Sequence, residues 1–210
     1  MGWTLSLNRL LESVARSNLH ALHCLNTLET LFMTRPPDAQ LTHLGLYVRD
    51  LDAMVAFYCK LLGMAVTDSG EFHGGRITFM SRNVNEHHQL VMVSGRPADV
   101  YSPVSQMSFR VKTLEDLQHY YRAVTAMGLR DIKPSNHGNA WSVYCLDPEG
   151  NRLEIYAGSP WYVNQPYQGP LDLGAPADEI RAATQAMVSR EPSFQSHETW
   201  QCAFKERLAS

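Results

Sequence analysis

HLGLYVRDLDAMVAFYCKLLGM (His43–Met64) and QMSFRVKTLEDLQHYYRAVTAMGL (Gln106–Leu129) follow one plan: an alternating segment, a charged turn, an amphipathic stretch, then glycine. In the alternating segments Leu44, Leu46 and Val48 share one face and match Met107, Phe109 and Val111, a period of two that reads as a strand with one buried side. His43, Gly45 and Tyr47 match Gln106, Ser108 and Arg110 on the opposite face. The pattern then changes to helical spacing. Leu51, Met54, Val55, Tyr58, Leu61 and Leu62 recur on one stripe, as do Leu114, Leu117, Tyr121 and Val124, so each helix is expected to cover the apolar face of its strand. Gly63 and Gly128 read as helix stops.

Working outward, GRITFMSR and HQLVMVSG follow the first helix, while AWSVYCLD and NRLEIYAG follow the second with DPEGN as a tight turn between them. Each copy therefore reads as a βαβββ module. The fold class is α+β: two such modules, residues 41–97 and 104–158, form a curled mixed sheet around a cleft.

Inside NRLEIYAG the acid Glu154 stands between Leu153 and Ile155. An unpaired buried carboxylate costs several kcal/mol, so something should receive it. His43 and Gln106 open equivalent strands, and His88 lies near the position of the first copy that corresponds to Glu154. Imidazole, amide and carboxylate donors from related places in a repeat point to a metal in the cleft. Such a set suits iron, manganese, nickel or zinc.

Composition narrows the chemistry. The 210 residues are 44% hydrophobic, with a net charge of −3 and a pI near 6.3, which leaves no basic footprint for nucleic acid. No apolar run is long enough for a membrane span. The cysteines, Cys24, Cys59, Cys145 and Cys202, form no CxxC pair and fit a reducing cytoplasm. Small-molecule work is the remaining expectation.

Residues 1–40 read as a helical appendage that ends in the breaker MTRPPDAQ. Residues 159–210 read as a loop followed by helices over APADEIRAATQAMVS and SHETWQCAFKERLA. The aromatic stretch GSPWYVNQPYQGPLDLG between them is expected either to line the mouth of the cleft or to pack on a partner subunit.

THLGLYVRDLDAMVAFYCKLLGM and HGNAWSVYCLDPEGNRLEIYAG resemble the vicinal oxygen chelate superfamily, over about Leu41 to Gly158. That superfamily includes glyoxalase I, fosfomycin and bleomycin resistance proteins and type I extradiol dioxygenases. The resemblance implies a metal that binds substrate through adjacent oxygens, and the extradiol pattern of ligands and neighbours is the nearest. It makes His43 and Glu154 metal ligands, His88 an acid/base, His137 a hydrogen-bond partner of the substrate oxygen and Tyr144 a group that orients the intermediate. The second metal histidine of that pattern is replaced by Gln106, a weaker donor. Either His88 completes a four-ligand set, or the site is an altered triad in which His88 stays free for proton transfer. The expected cofactor is iron(II), with manganese, nickel and zinc as alternatives. The expected partners are a small aromatic diol, O2 and a second copy of the chain. A glyoxalase-like lyase or isomerase, or a small-molecule binding or resistance protein, is the alternative.

Overall fold

The computed structural model describes residues 39–100 and 102–209. The appendage expected over residues 1–40 therefore lies outside the described residues, apart from its last two. Residues Thr42–Ser210 form one compact unit.

The first module runs β1 (Leu44–Val48), α1 (Leu51–Leu62), β2 (Ala65–Phe72), β3 (Gly75–Ser81) and β4 (Leu90–Ser94). The second runs β5 (Met107–Val111), α2 (Leu114–Ala126), β6 (Arg130–Asn136), β7 (Ala140–Leu146) and β8 (Arg152–Gly158). Each makes its own four-stranded sheet, in the orders β1-β4-β3-β2 and β5-β8-β7-β6. The first strand of each pairs in parallel with the last, and the other pairs are antiparallel. A parallel pair needs a crossover, and in each module the helix lies within it.

Local chemistry places the helix ends. Asp50 accepts from Ala53 N–H at 3.0 Å to cap α1, and Gly63 closes it with φ of 64°, a conformation that glycine adopts without a Cβ penalty. Thr113 and Asp116 form a reciprocal capping box at the start of α2, both bonds at 3.1 Å.

The helix-facing sides of both modules feed one core. Leu46, Val48, Met54, Tyr58, Met80 and Met92 from the first join Met107, Leu117, Val143, Leu153 and Ile155 from the second. The other face of the first module stays open: Tyr47 keeps 65% of its surface, and all eight residues of the edge strand β2 are exposed.

A polar clasp joins the modules beside this core. DPEGN (residues 147–151), expected as a turn, is also an anchor. Asp147 draws in Glu149 N–H, Asn151 N–H and the Asn151 amide at 2.7–2.9 Å and accepts from the Tyr58 hydroxyl at 3.1 Å. Glu149 accepts from the Arg49 and Asp50 amides at 2.6 and 2.8 Å. It also pairs with Arg96 at 2.6 Å, with both side chains almost fully buried.

After β8 the chain forms β9 (Trp161–Tyr162), α3 (Ala177–Val188), β10 (Gln195–Ser196) and α4 (His197–Ala209), so the two C-terminal helices stand where expected. On α4 Trp200 stacks between Tyr162 and Phe204, with ring centroids 5.1 and 5.2 Å away. Among the described residues no helix is long and apolar enough to cross a membrane.

Candidate functional site

Glu154 sits on β8 between its two neighbours in the sheet. Ser108 of β5 and Tyr144 of β7 are its register partners, so strand pairing alone delivers their side chains to the carboxylate. Oε1 accepts from the Ser142 hydroxyl and the Tyr144 phenol, both at 2.7 Å. Oε2 accepts from the Ser108 hydroxyl at 2.6 Å and from the Gln106 amide at 3.1 Å. Burial pushes the Glu154 pKa up, but the hydrogen bonds from Ser108, Tyr144 and Ser142, with His137 nearby, outweigh it and hold the carboxyl below its usual range. Glu154 is therefore a buried anion in a ring of donors.

Tyr144 extends this ring. Its hydroxyl is 2.9 Å from His137 Nε2, and His137 Nδ1 is 2.9 Å from the Tyr167 carbonyl. A carbonyl only accepts, so Nδ1 carries hydrogen. The single phenolic hydrogen then serves either Glu154 or His137 Nε2, so one proton is shared along the line from Glu154 through Tyr144 to His137. Burial, followed by the bond to Glu154, pushes the Tyr144 phenol up to about 12 and keeps it protonated.

His137 owes its place to the C-terminal segment. Asn136 and Gly169 exchange backbone bonds of 3.2 and 2.7 Å, and Gln165 donates to the His137 carbonyl at 2.9 Å. Gly138, with φ of 72°, lies against this segment: a Cβ there would stand 2.6 Å from Val163 and 3.0 Å from Val188. Gly138→Ala is expected to destabilise the protein by about 1–3 kcal/mol, lowering Tm by about 2–4 °C for each kcal/mol. Thermal melting checks it, and an unchanged Tm would mean that the segment yields freely.

His43 and His88 form a second group. His43 lies just before β1, and His88 lies in the loop that leads to β4. Their rings meet edge to face with centroids 4.4 Å apart. Burial pushes the His88 pKa below the usual histidine value, and the neighbouring His43 and His87 act in the same direction.

Gln106, Glu154, Tyr144 and His137 are thus joined in one network, and His43 with His88 in another. Among the described residues no hydrogen bond, ion pair or ring contact connects the two, and no group of three or more His, Cys, Asp or Glu is placed to hold a metal. As donors the residues suit a divalent cation, since they offer a carboxylate held as an anion and imidazoles at an open face. Within one chain they stand as two halves, not as the single converging cleft that the repeat suggested.

Sequence reasoning passed over Ser108 and Ser142, although both fall on the face of Glu154 by alternation. It also passed over Asp68, whose carboxylate meets His87 at 2.8 Å.

Residues 40–155 match the profile of the Glyoxalase/Bleomycin resistance protein/Dioxygenase superfamily. An uncharacterized Pseudomonas aeruginosa protein is 31% identical over 57% of this chain and 89% of its own length. Biphenyl-2,3-diol 1,2-dioxygenase 2 of Rhodococcus globerulus is 26% identical over 70% of this chain and 80% of its own. Among solved structures, a glyoxylase/bleomycin resistance protein/dioxygenase domain from Frankia sp. EAN1pec shares the fold, with a TM-score of 0.52 and 20% identity over 58% of this chain and 99% of that one. Strand order, helix placement and profile agree: the chain belongs to the Glyoxalase/Bleomycin resistance protein/Dioxygenase superfamily.

Proposed function

We propose that this protein is an extradiol-type dioxygenase that opens a catechol or dihydroxybiphenyl-type ring beside its hydroxyls, with a metal site assembled between two copies of the chain. The observation that carries the reading is the hydrogen-bonded line Glu154–Tyr144–His137, which offers a carboxylate anion, a protonated phenol and an imidazole along one face. Similarity to a dioxygenase named for biphenyl-2,3-diol supports the substrate class.

In this reading His43 of one copy and Glu154 of the other hold the metal, with Gln106 or His88 completing the set. Iron(II) is the first candidate, ahead of manganese, nickel and zinc. Bound there, the metal would supply a centre that two adjacent substrate oxygens can chelate. The protein's own part is proton management: His88 exchanges a proton with substrate, His137 hydrogen-bonds a substrate oxygen by receiving its hydroxyl hydrogen at Nε2, and Tyr144, its phenol hydrogen kept on Glu154, orients that oxygen. The open face of the first module supports a second copy as cover, since Tyr47 and Phe72 are exposed there. The thiols of Cys59, Cys145 and Cys202 are free, which fits a cytoplasmic setting.

The test is oxygen uptake and appearance of the ring-fission product with a panel of catechols after anaerobic iron loading. His43→Ala and Glu154→Gln chains are each expected to be inactive. Mixed in equal amounts and allowed to exchange, they are expected to regain about one quarter of wild-type activity, because half the dimers are hybrids and each hybrid keeps one intact site of two. No recovery on mixing would place the site within one chain. No oxygen uptake with any catechol, together with metal-dependent turnover of a thiol hemithioacetal, would favour the lyase or isomerase reading, for which Gln106 is the supporting residue.

A further inference from the structure

His87 is used neither as a ligand nor as an acid/base in the reading above, yet it is held on two sides. Its Nε2 is 2.8 Å from Asp68 Oδ2, and its Nδ1 is 2.9 Å from Nδ1 of His88. Phe79 packs against both rings, with centroids 5.7 Å from His87 and 5.2 Å from His88. Asp68 reaches His87 from β2 at an irregularity: the pairing of β2 with β3 slips between Val66 and Asp68, the kind of bulge that re-aims a side chain.

We propose that Asp68 and His87 are positioning residues that hold His88 in the tautomer with hydrogen on Nδ1, leaving the lone pair of Nε2 free for substrate or metal. With both imidazoles neutral, the hydrogen count requires it. An ionised carboxylate only accepts, so the His87 nitrogen facing Asp68 carries hydrogen. A neutral imidazole has one N–H, so the other nitrogen of His87 is an acceptor. The contact between the two Nδ1 atoms needs one hydrogen, and only His88 can supply it. His88 Nε2 is then bare. Asp68 thus decides, through one intervening ring, which nitrogen of His88 is the base, and an orienting partner of this kind governs how well an imidazole serves. The role in turnover rests on the proposed dioxygenase reading; the tautomer does not.

The pair is surface-exposed, with side chains of His87 and Asp68 at 54% and 69%, so it contributes little to stability and its removal should leave melting unchanged. That separates positioning from scaffolding. The experiment is nitrogen NMR of the full chain labelled at histidine, at pH 8, with the His88 signals assigned by their loss in His88→Gln. In the wild type, Nδ1 of His88 is expected to carry the hydrogen. In Asp68→Ala and in His87→Phe the signals are expected to move toward the opposite tautomer, and in Asp68→Asn, whose amide oxygen still accepts, to stay. Turnover of iron-loaded protein should fall about 10–100-fold in kcat for Asp68→Ala and His87→Phe, with KM little changed, and return in Asp68→Asn. A wild-type His88 with hydrogen on Nε2, or one that Asp68→Ala does not alter, overturns the proposal. If the tautomer behaves as expected while the wild type consumes no oxygen with any catechol, the dioxygenase reading fails and the assignment of Asp68 and His87 stands.

Discussion

Glu154→Gln is expected to lower both metal content and oxygen uptake by more than about 100-fold, beyond the 10–100-fold that loss of a supporting group costs. The change is nearly isosteric, so the effect is electronic. Glu154 now meets four donors: Ser142 and Tyr144 on one oxygen, Ser108 and Gln106 on the other. An amide can accept at only one end. Its NH2 end would face two donors; the hydroxyls can rotate to accept, but the Gln106 amide nitrogen and the shared phenolic hydrogen of Tyr144 are less easily turned. A loss of about 1–3 kcal/mol in stability should accompany the lost charge. Metal analysis after anaerobic loading, oxygen uptake and thermal melting separate the two effects. Full metal occupancy with wild-type uptake would show that Glu154 is a structural acid and no ligand.

Arg96→Ala is expected to destabilise the fold by about 3–5 kcal/mol, because it strands the Glu149 carboxylate at a site where that side chain is only 7% exposed. At about 2–4 °C per kcal/mol for a chain of this size, Tm should fall by roughly 6–20 °C. Arg96 also donates to Asn151 Oδ1 and to the Glu149 carbonyl, both at 3.3 Å, so truncation loosens the turn as well as the ion pair. Glu149→Gln in the same background should recover part of the loss. Its amide oxygen can still receive the Arg49 and Asp50 N–H groups, while the uncompensated charge is gone. Calorimetry of the single and double variants measures this, and a double variant no more stable than Arg96→Ala would mean that the packing of the arginine stem, and not the stranded charge, sets the cost.

The repeat was legible in the sequence because its signals are local: alternation in Leu44–Val48 and Met107–Val111, helical stripes after them, glycines at the ends. β2 and β6 were not. β2 is exposed along its whole length, so its residues, AVTDSGEF, carry no alternation, and β6, RDIKPSN, holds a proline tolerated because it is an edge strand and a register shift that breaks its period. Glu154 stood out as a charge in an apolar strand, and Tyr144 and His137 followed from the resemblance. Ser108 and Ser142 did not stand out, since a serine on a strand face is unremarkable until its partner is known. The Arg96–Glu149 clasp and the Asp68–His87 contact link residues 53 and 19 positions apart, and no local periodicity encodes either.

The acceptor that holds His137 Nδ1 belongs to the main chain of Tyr167. An alanine scan through the C-terminal segment would therefore pass over this contact in silence, because every residue placed at 167 brings the same carbonyl. What this segment contributes to His137 is recorded in its path length: deleting or inserting a single residue between Ser159 and Gly169 would shift the carbonyl, whereas exchanging the Tyr167 side chain would leave it where it is.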